Sequence, residues 1–385
     1  MLPARLASRL QSVDWDFSGD QSESRFSAIH WHPSRFASQV PATLIGLLSK
    51  VGDVILDPFG GSGTTLMEAQ RLGRCSIGVD LNPLSCMIAR AKTLRVTSAR
   101  IRRVVNRLKD DAERALVRRT PSVTLRDLPN SVQAAKWYTP RVARQLGILW
   151  KMVNEYKGVG RLLAQTAFSA ILITVCRETR HWGYICDNCA PTDDHEGDVL
   201  SEFSRVLDRF ADAYDDRDNE LLARFGRITP LSQAQIICGD AVTSLKNVPD
   251  SSVDLVLTSP PYFGVTDYIK TQRLSMEWFD QAIEPLRLKE IGARSKRHRR
   301  EAVEQYIADL KAVFASLHRV MKPAALCAVV IGQSGSRADV LKPVENMIVA
   351  CRFKTELFLK RAVSAQRRQT PSINEEHVVI YSREG

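Results

Sequence analysis

The stretch DVILDPFGGSGTTLMEAQRLGRCSIGVD, Asp53 to Asp80, narrows the choice of fold more than any other part of the chain. DVILDPF is a short β-rich run that ends in glycines. TLMEAQRLG then spaces its apolar residues as a helix does and stops at Gly73, a residue suited to a helix C-terminus. CSIGVD reads as a second strand, and PLSCMIARAKTL as a helix opened by Pro83. Strand, glycine loop, helix, strand, helix is the start of a parallel α/β sheet.

The loop between strand and helix, DPFGGSGTT, limits what can bind there. A phosphate-cradling GxxxxGK[ST] loop needs a lysine, and none is present. The dinucleotide pattern GxGxxG also fails, because Gly61 and Gly63 fit but Leu66 takes the last position. Glycines still let backbone approach a ligand, and the helix start offers N–H groups to an anionic group. Asp80 ends the second strand, where a carboxylate can hold ribose hydroxyls. A ligand with a ribose and a carboxylate but no pyrophosphate fits this set, and S-adenosylmethionine has that chemistry. The bland alternative is a tight turn with a surface aspartate.

A second unusual stretch is TSPPYFGVTDY, Thr258 to Tyr268, directly after the strand-like SVDLVL. Pro260 and Pro261 fix φ and remove backbone donors, so carbonyls around them remain able to accept. Ser259 adds a hydroxyl, and Tyr262 a ring for stacking. Together they suit a flat base with an exocyclic amine, which must first be flipped out of a duplex. The alternative is a proline-rich loop capping a strand, with Tyr262 in the core.

From about Val96 to Pro230 the periodicity is helical, as in ARIRRVVNRLKDDAERALV and RLLAQTAFSAILITV. Strand character returns at AQIICGD and continues through VDLVLTS, ALCAVVIG, KTELFLK and EHVVIYS. Connections within α/β units are usually about 2–6 residues, so the long gap predicts an inserted helical subdomain. The predicted fold class is therefore α/β, a Rossmann-like, mostly parallel seven-stranded sheet with a helical insertion. The expected organisation is a cofactor-binding half at 1–95, a helical insertion and candidate target-recognition region at 96–231, and a catalytic half at 232–385.

The net charge of +11 points to a polyanionic partner or to plain solubility. No apolar run approaches the ~20 residues of a membrane span, and the first residues lack a signal-peptide core; they suit a short amphipathic helix. The eight cysteines are scattered, mostly in apolar stretches, which predicts free thiols in a reducing cytoplasm.

The two loops together resemble those of the amino-methylating DNA methyltransferases, which use S-adenosylmethionine to make N4-methylcytosine or N6-methyladenine. The likeness covers about the first hundred and the last hundred and fifty residues. It implies that Asp57, Phe59, Gly61, Ser62, Gly63, Thr64 and Thr65 form the cofactor loop, with Asp80 as the ribose acid. HWHPSRFASQVPATLIGLL looks like the segment that closes over the cofactor, which implies His32, Pro33 and Phe36 near it. Asp240, in ICGDA, would meet the cofactor's adenine amine. Ser259, Pro260, Pro261 and Tyr262 would form the catalytic loop, and the serine favours cytosine N4 over adenine N6. No Pro-Cys dipeptide occurs, which sets cytosine-C5 chemistry aside. The expected partner is double-stranded DNA, with a cognate restriction or defence protein as a further candidate and no membrane. RNA base-amine methylation and a non-catalytic DNA-binding subunit are the competing readings.

Three other segments are candidates. Cys186 and Cys189 have CxxC spacing near His181 and His195, but a second pair is lacking, so no metal is expected; the polar and aromatic residues around them suit a DNA-facing loop. KEIGARSKRHRR, Lys289 to Arg300, suits phosphate contacts, and its RSKRHRR part, Arg294 to Arg300, is the densest run of positive charge. KWYTPR, Lys136 to Arg141, mixes basic and aromatic residues as a weaker DNA-contact candidate.

Overall fold

A computed structural model describes residues 2–17, 24–33, 37–117, 128–129, 131–178, 190–191, 195–226, 228, 232–334, 339–363 and 373–385. Seven strands form one sheet: β1 Val54–Asp57, β2 Cys75–Asp80, β3 Ala234–Cys238, β4 Val253–Thr258, β5 Met321–Ser334, β6 Phe353–Ala362 and β7 Ile373–Arg383. Their order is β3-β2-β1-β4-β5-β7-β6. β3 through β5 pair in parallel, while β7 runs antiparallel between β5 and β6. This is the mostly parallel, Rossmann-like α/β sheet that the sequence predicts.

The central strands are apolar because both faces are covered. On one face Ile55, Leu255, Leu257, Val330, Val378 and Ile380 are buried with Leu10, Trp15, Val40 and Leu44. Leu10 comes from the helix Ala4–Gln11, and Val40 and Leu44 from the helix Gln39–Leu48. On the other face Leu56, Val256, Cys327, Val329 and Val379 meet Leu310, Val313, Phe314 and Leu317 of the helix Ala302–Val320. Alternate residues of each strand thus face opposite layers.

Between β2 and β3 the described chain is helical: Pro83–Lys92, Ser98–Val117, Ser131–Trp137, Pro140–Glu155, Gly158–Ile171 and Val199–Phe225. The last five surround a core of Ile101, Leu108, Leu146, Phe168, Phe203, Phe210 and Tyr214, which continues into Phe26, Ile29, Leu274 and Trp278 from outside the segment. The KWYTPR stretch is part of this core. Trp137 and Tyr138 are buried, and Thr139 caps the helix that Pro140 opens. Its aromatics are therefore taken up in packing rather than turned toward DNA. Among the described residues no helix is long and apolar enough to cross a membrane.

The order of strands fixes where a ligand can enter. From β1 the chain steps outward to β2 and β3, then returns to the other side of β1 as β4. The loops leaving the carboxyl ends of β1 and β4 diverge there, and the crevice between them is where open α/β sheets bind ligands. Asp57, last in β1, and Thr258, last in β4, are tied across it: Thr258 Oγ1 donates to Asp57 Oδ1 at 2.8 Å.

Candidate active site

A cleft enclosing ≈ 890 Å³ of empty space, part of it open to solvent, lies at this switch point. His32, Phe59, Gly61, Asp80 and Asp240 line it together with Ser259, Pro260, Pro261 and Tyr262. The glycine loop after β1, the acids after β2 and β3, and the loop after β4 thus share one cavity.

Asp57 and the residues behind the loop do not line the cleft. Asp57 is 3% exposed, and both its oxygens are taken up by its own chain. Oδ1 accepts from Thr258 Oγ1 and from the Phe59 N–H, and Oδ2 accepts from Thr65 Oγ1 at 2.7 Å. Burial pushes its carboxyl up to about 6, against those three hydrogen bonds. Asp57 therefore binds β1, β4 and the helix Thr64–Arg71 to one another. Ser62, Thr64 and Thr65 are likewise buried. Gly63 has φ +83°, and a Cβ on it would lie 2.8 Å from Ala89 Cβ. Leu66, where the dinucleotide pattern wants glycine, rests on a glycine of the next strand instead. A Cβ at Gly78 would come within 2.7 Å of its Cδ2. The close helix-to-strand approach is kept, with the small residue moved to β2.

Asp80 turns back to the loop. Its Oδ2 accepts from the Gly61 N–H at 2.9 Å and Oδ1 from the Asn82 N–H at 2.8 Å. Burial, with repulsion from Asp57 as a smaller cause, raises it to about 6. Asp240 caps the short helix Ala241–Ser244, its Oδ1 accepting from the Thr243 N–H. His32 is buried and shares a 2.8 Å hydrogen bond between Nε2 and Ser85 Oγ. Phe36 lies outside the described residues, as do Cys186 and Cys189 and the loop around them.

The loop after β4 is held from several sides. Tyr306 Oη donates to the Pro261 carbonyl at 2.9 Å. Ser259 Oγ donates to Tyr262 Oη at 3.2 Å, and Tyr262 Oη donates to Glu376 Oε1 at 3.0 Å. The Tyr262 ring is 8% exposed and lies against β5, where a Cβ on Gly332 would come 2.2 Å from Cε2. The carbonyl of Pro260 makes no hydrogen bond among the described residues.

Sequence reasoning missed Asn82, Ser85 and Glu290, which also line the cleft, as does Tyr268, just downstream of the Ser-Pro-Pro-Tyr loop. Asn82 had a signal in hindsight: it caps the helix that Pro83 opens, its Oδ1 accepting from the Leu84 N–H. Glu290 had none. It is 5% exposed, Oε1 accepts from the Ile269 N–H at 2.9 Å, and Oε2 makes no hydrogen bond among the described residues. Burial raises its carboxyl to about 7. The basic run at Arg294 to Arg300 divides. Lys296 Nζ turns inward to the Leu288 and Glu290 carbonyls, while Arg294, Arg299 and Arg300 are exposed. Arg299 and Arg300 line a second cleft that shares Asp240, Lys289 and Glu290 with the first. Among the described residues, no group of His, Cys, Asp and Glu could hold a metal ion.

Residues 9–91 match the N6/N4 DNA methylase family model. The Type II methyltransferase M.MjaII of Methanocaldococcus jannaschii is 21% identical over an alignment covering 89% of this chain and 79% of that protein. M.MvaI of Kocuria varians is 27% identical over 66% of this chain and 58% of its own length. M.BsoBI of Geobacillus stearothermophilus is 24% identical over 67% and 54%. The chain thus spans little more than half the length of the latter two. S-adenosylmethionine, the cofactor of this kind of enzyme, fits the cleft by chemistry: carboxylates at two strand ends suit ribose hydroxyls and an amine, and the glycine loop carries no lysine for a phosphate. The family match over the glycine loop, and the likeness to Type II methyltransferases along most of the remaining length, make the chain similar to the S-adenosylmethionine-dependent DNA amino-methyltransferases.

Proposed function

We propose that the protein methylates the exocyclic N4 amine of cytosine in double-stranded DNA, taking the target base out of the helix to do so. One observation carries this reading: the Ser-Pro-Pro-Tyr loop opens into the same cleft as the glycine loop and the two strand-end acids. S-adenosylmethionine, when bound, supplies a methyl group already activated on a cationic sulfur. Asp80 would hold the ribose hydroxyls and Asp240 the adenine amine, with His32 and Phe59 against the ligand. Gly61 lets the backbone come close to it, and Ser62, Gly63, Thr64 and Thr65 fix the loop's shape from behind.

Ser259 Oγ and the Pro260 carbonyl would accept the two N–H groups of the target amine, which aims its lone pair along the cleft. Tyr262 would stack on the base. The rate then comes mainly from positioning, because the leaving group needs no further activation. Exposed Arg294, Arg299 and Arg300 would neutralise DNA phosphates, and the helical segment at 96–231 would contribute to target recognition. Ser259 in place of an aspartate or asparagine supports cytosine; adenine N6 is the alternative within the same geometry.

Nucleoside mass spectrometry on DNA incubated with protein and S-adenosylmethionine tests this. N4-methylcytosine made by the wild type, and not by the Ser259→Ala, Tyr262→Ala double variant, is the expected result. N6-methyladenine would overturn the base assignment, and no methylated base in DNA would overturn the reading as a whole.

A further inference from the structure

The hydroxyl chain at Ser259 does not end at Tyr262. Glu376 reaches Tyr262 from β7, where it stands opposite Gly332 of β5. Its other oxygen, Oε2, lies 3.4 Å from Nη1 of Arg361, its cross-strand partner on β6. Arg361 is 3% exposed, and among the described residues its Nε and Nη1 make no hydrogen bond, so it acts on Glu376 as a buried counter-charge.

We propose that Glu376 is a positioning residue that sets the direction of hydrogen bonding around Ser259, and so makes the site select a base bearing an amine over one bearing a carbonyl at the same place. The inference rests on the function proposed above and on the rules of donors and acceptors. A carboxylate can only accept. Tyr262 has one hydroxyl proton, which goes to Glu376, so its oxygen is left to accept from Ser259. The Ser259 proton is thereby used, and only lone pairs remain for the cleft. Burial first, and the neighbouring Glu376 second, push the Tyr262 phenol well above its ordinary range, so it keeps that proton. The Pro260 carbonyl is an acceptor as well. An exocyclic amine satisfies both groups, whereas a base carbonyl would leave buried acceptors facing one another. Without an acceptor-only group at its far end, the chain can reverse, and Ser259 can then donate to a carbonyl.

The test uses the full chain with S-adenosylhomocysteine and short duplexes of the sequence that the wild type methylates. The target position carries either the methylated base's parent or its deaminated counterpart, cytosine against uracil or adenine against hypoxanthine. The wild type should prefer the amine duplex. Glu376→Gln, whose amide can donate as well as accept, should cut that preference by about tenfold, the order of one hydrogen bond gained or lost. Binding of the cofactor product should stay unchanged. Tyr262→Phe, which breaks the chain in the middle, should narrow the preference in the same way. If Glu376→Gln weakens both duplexes equally, or leaves the ratio as in the wild type, the inference is wrong. Absence of methyl transfer by the wild type would instead overturn the proposed function, and this inference with it.

Discussion

Replacing Asp57 by asparagine should stabilise the protein, and the gain should depend on pH. The Asp57 carboxyl is raised from 3.8 to about 6 in the fold, chiefly by burial. The unfolded chain gives up this proton near pH 3.8, and the folded protein keeps it to about pH 6. Stability is therefore lost as pH rises between those values, and the loss is complete above them. At ~1.4 kcal/mol per pH unit, it amounts to about 3 kcal/mol at pH 8 and roughly half of that at pH 5. Asparagine never ionises, so it removes the loss. It also keeps the hydrogen bonds: Oδ1 still serves Thr258 and Phe59, and the Thr65 hydroxyl can turn to accept from the new Nδ2. Removing the charge also relieves the repulsion that helps raise Asp80. Urea unfolding of variant and wild type at pH 5, 6 and 8, without cofactor, measures the difference. A variant less stable than the wild type at pH 8, or a difference that does not change with pH, would refute the argument.

Three further outcomes follow from the same cleft. Gly332→Ala puts a methyl group into the Tyr262 ring; it should destabilise the fold by about 1–3 kcal/mol and lower methyl transfer, while calorimetry finds cofactor binding intact. Asp80→Ala should weaken S-adenosylmethionine roughly 10–100-fold, the worth of charge-assisted hydrogen bonds. Because Asp80 titrates at about 6 and must be ionised to accept from two hydroxyls, wild-type affinity should fall as pH drops through that value and level off above it.

Much of the sheet was legible because its signals are local. β1, the glycine loop and β2 follow one another within twenty-eight residues, Asp53 to Asp80, and the helical segment shows its period without help from the rest of the chain. What stayed hidden is set by register and burial. Nothing in DPFGG says that Asp57 spends its oxygens on Thr65 and Thr258, since Thr258 lies 201 residues away. Arg361 and Glu376 become neighbours only when β6 and β7 align. Glu290 reaches the cleft from a stretch whose charges look like any solvated helix face. KWYTPR misleads for the opposite reason: its aromatic residues are in the core, and its threonine and proline are a helix start.

The late return of the chain to the middle of its own sheet bears on how the protein is made. β1 pairs with β4 through Ile55 and Leu255. At about 5–20 residues per second, roughly ten to forty seconds of synthesis separate those strands. Throughout that interval one edge of β1 has no neighbour, and the apolar helices that follow emerge before it gains one. A strand of four residues is a short edge, which limits pairing with other chains. The nascent protein thus waits for its last third before its centre can close, and the cleft, built on both sides of that seam, exists only once it has.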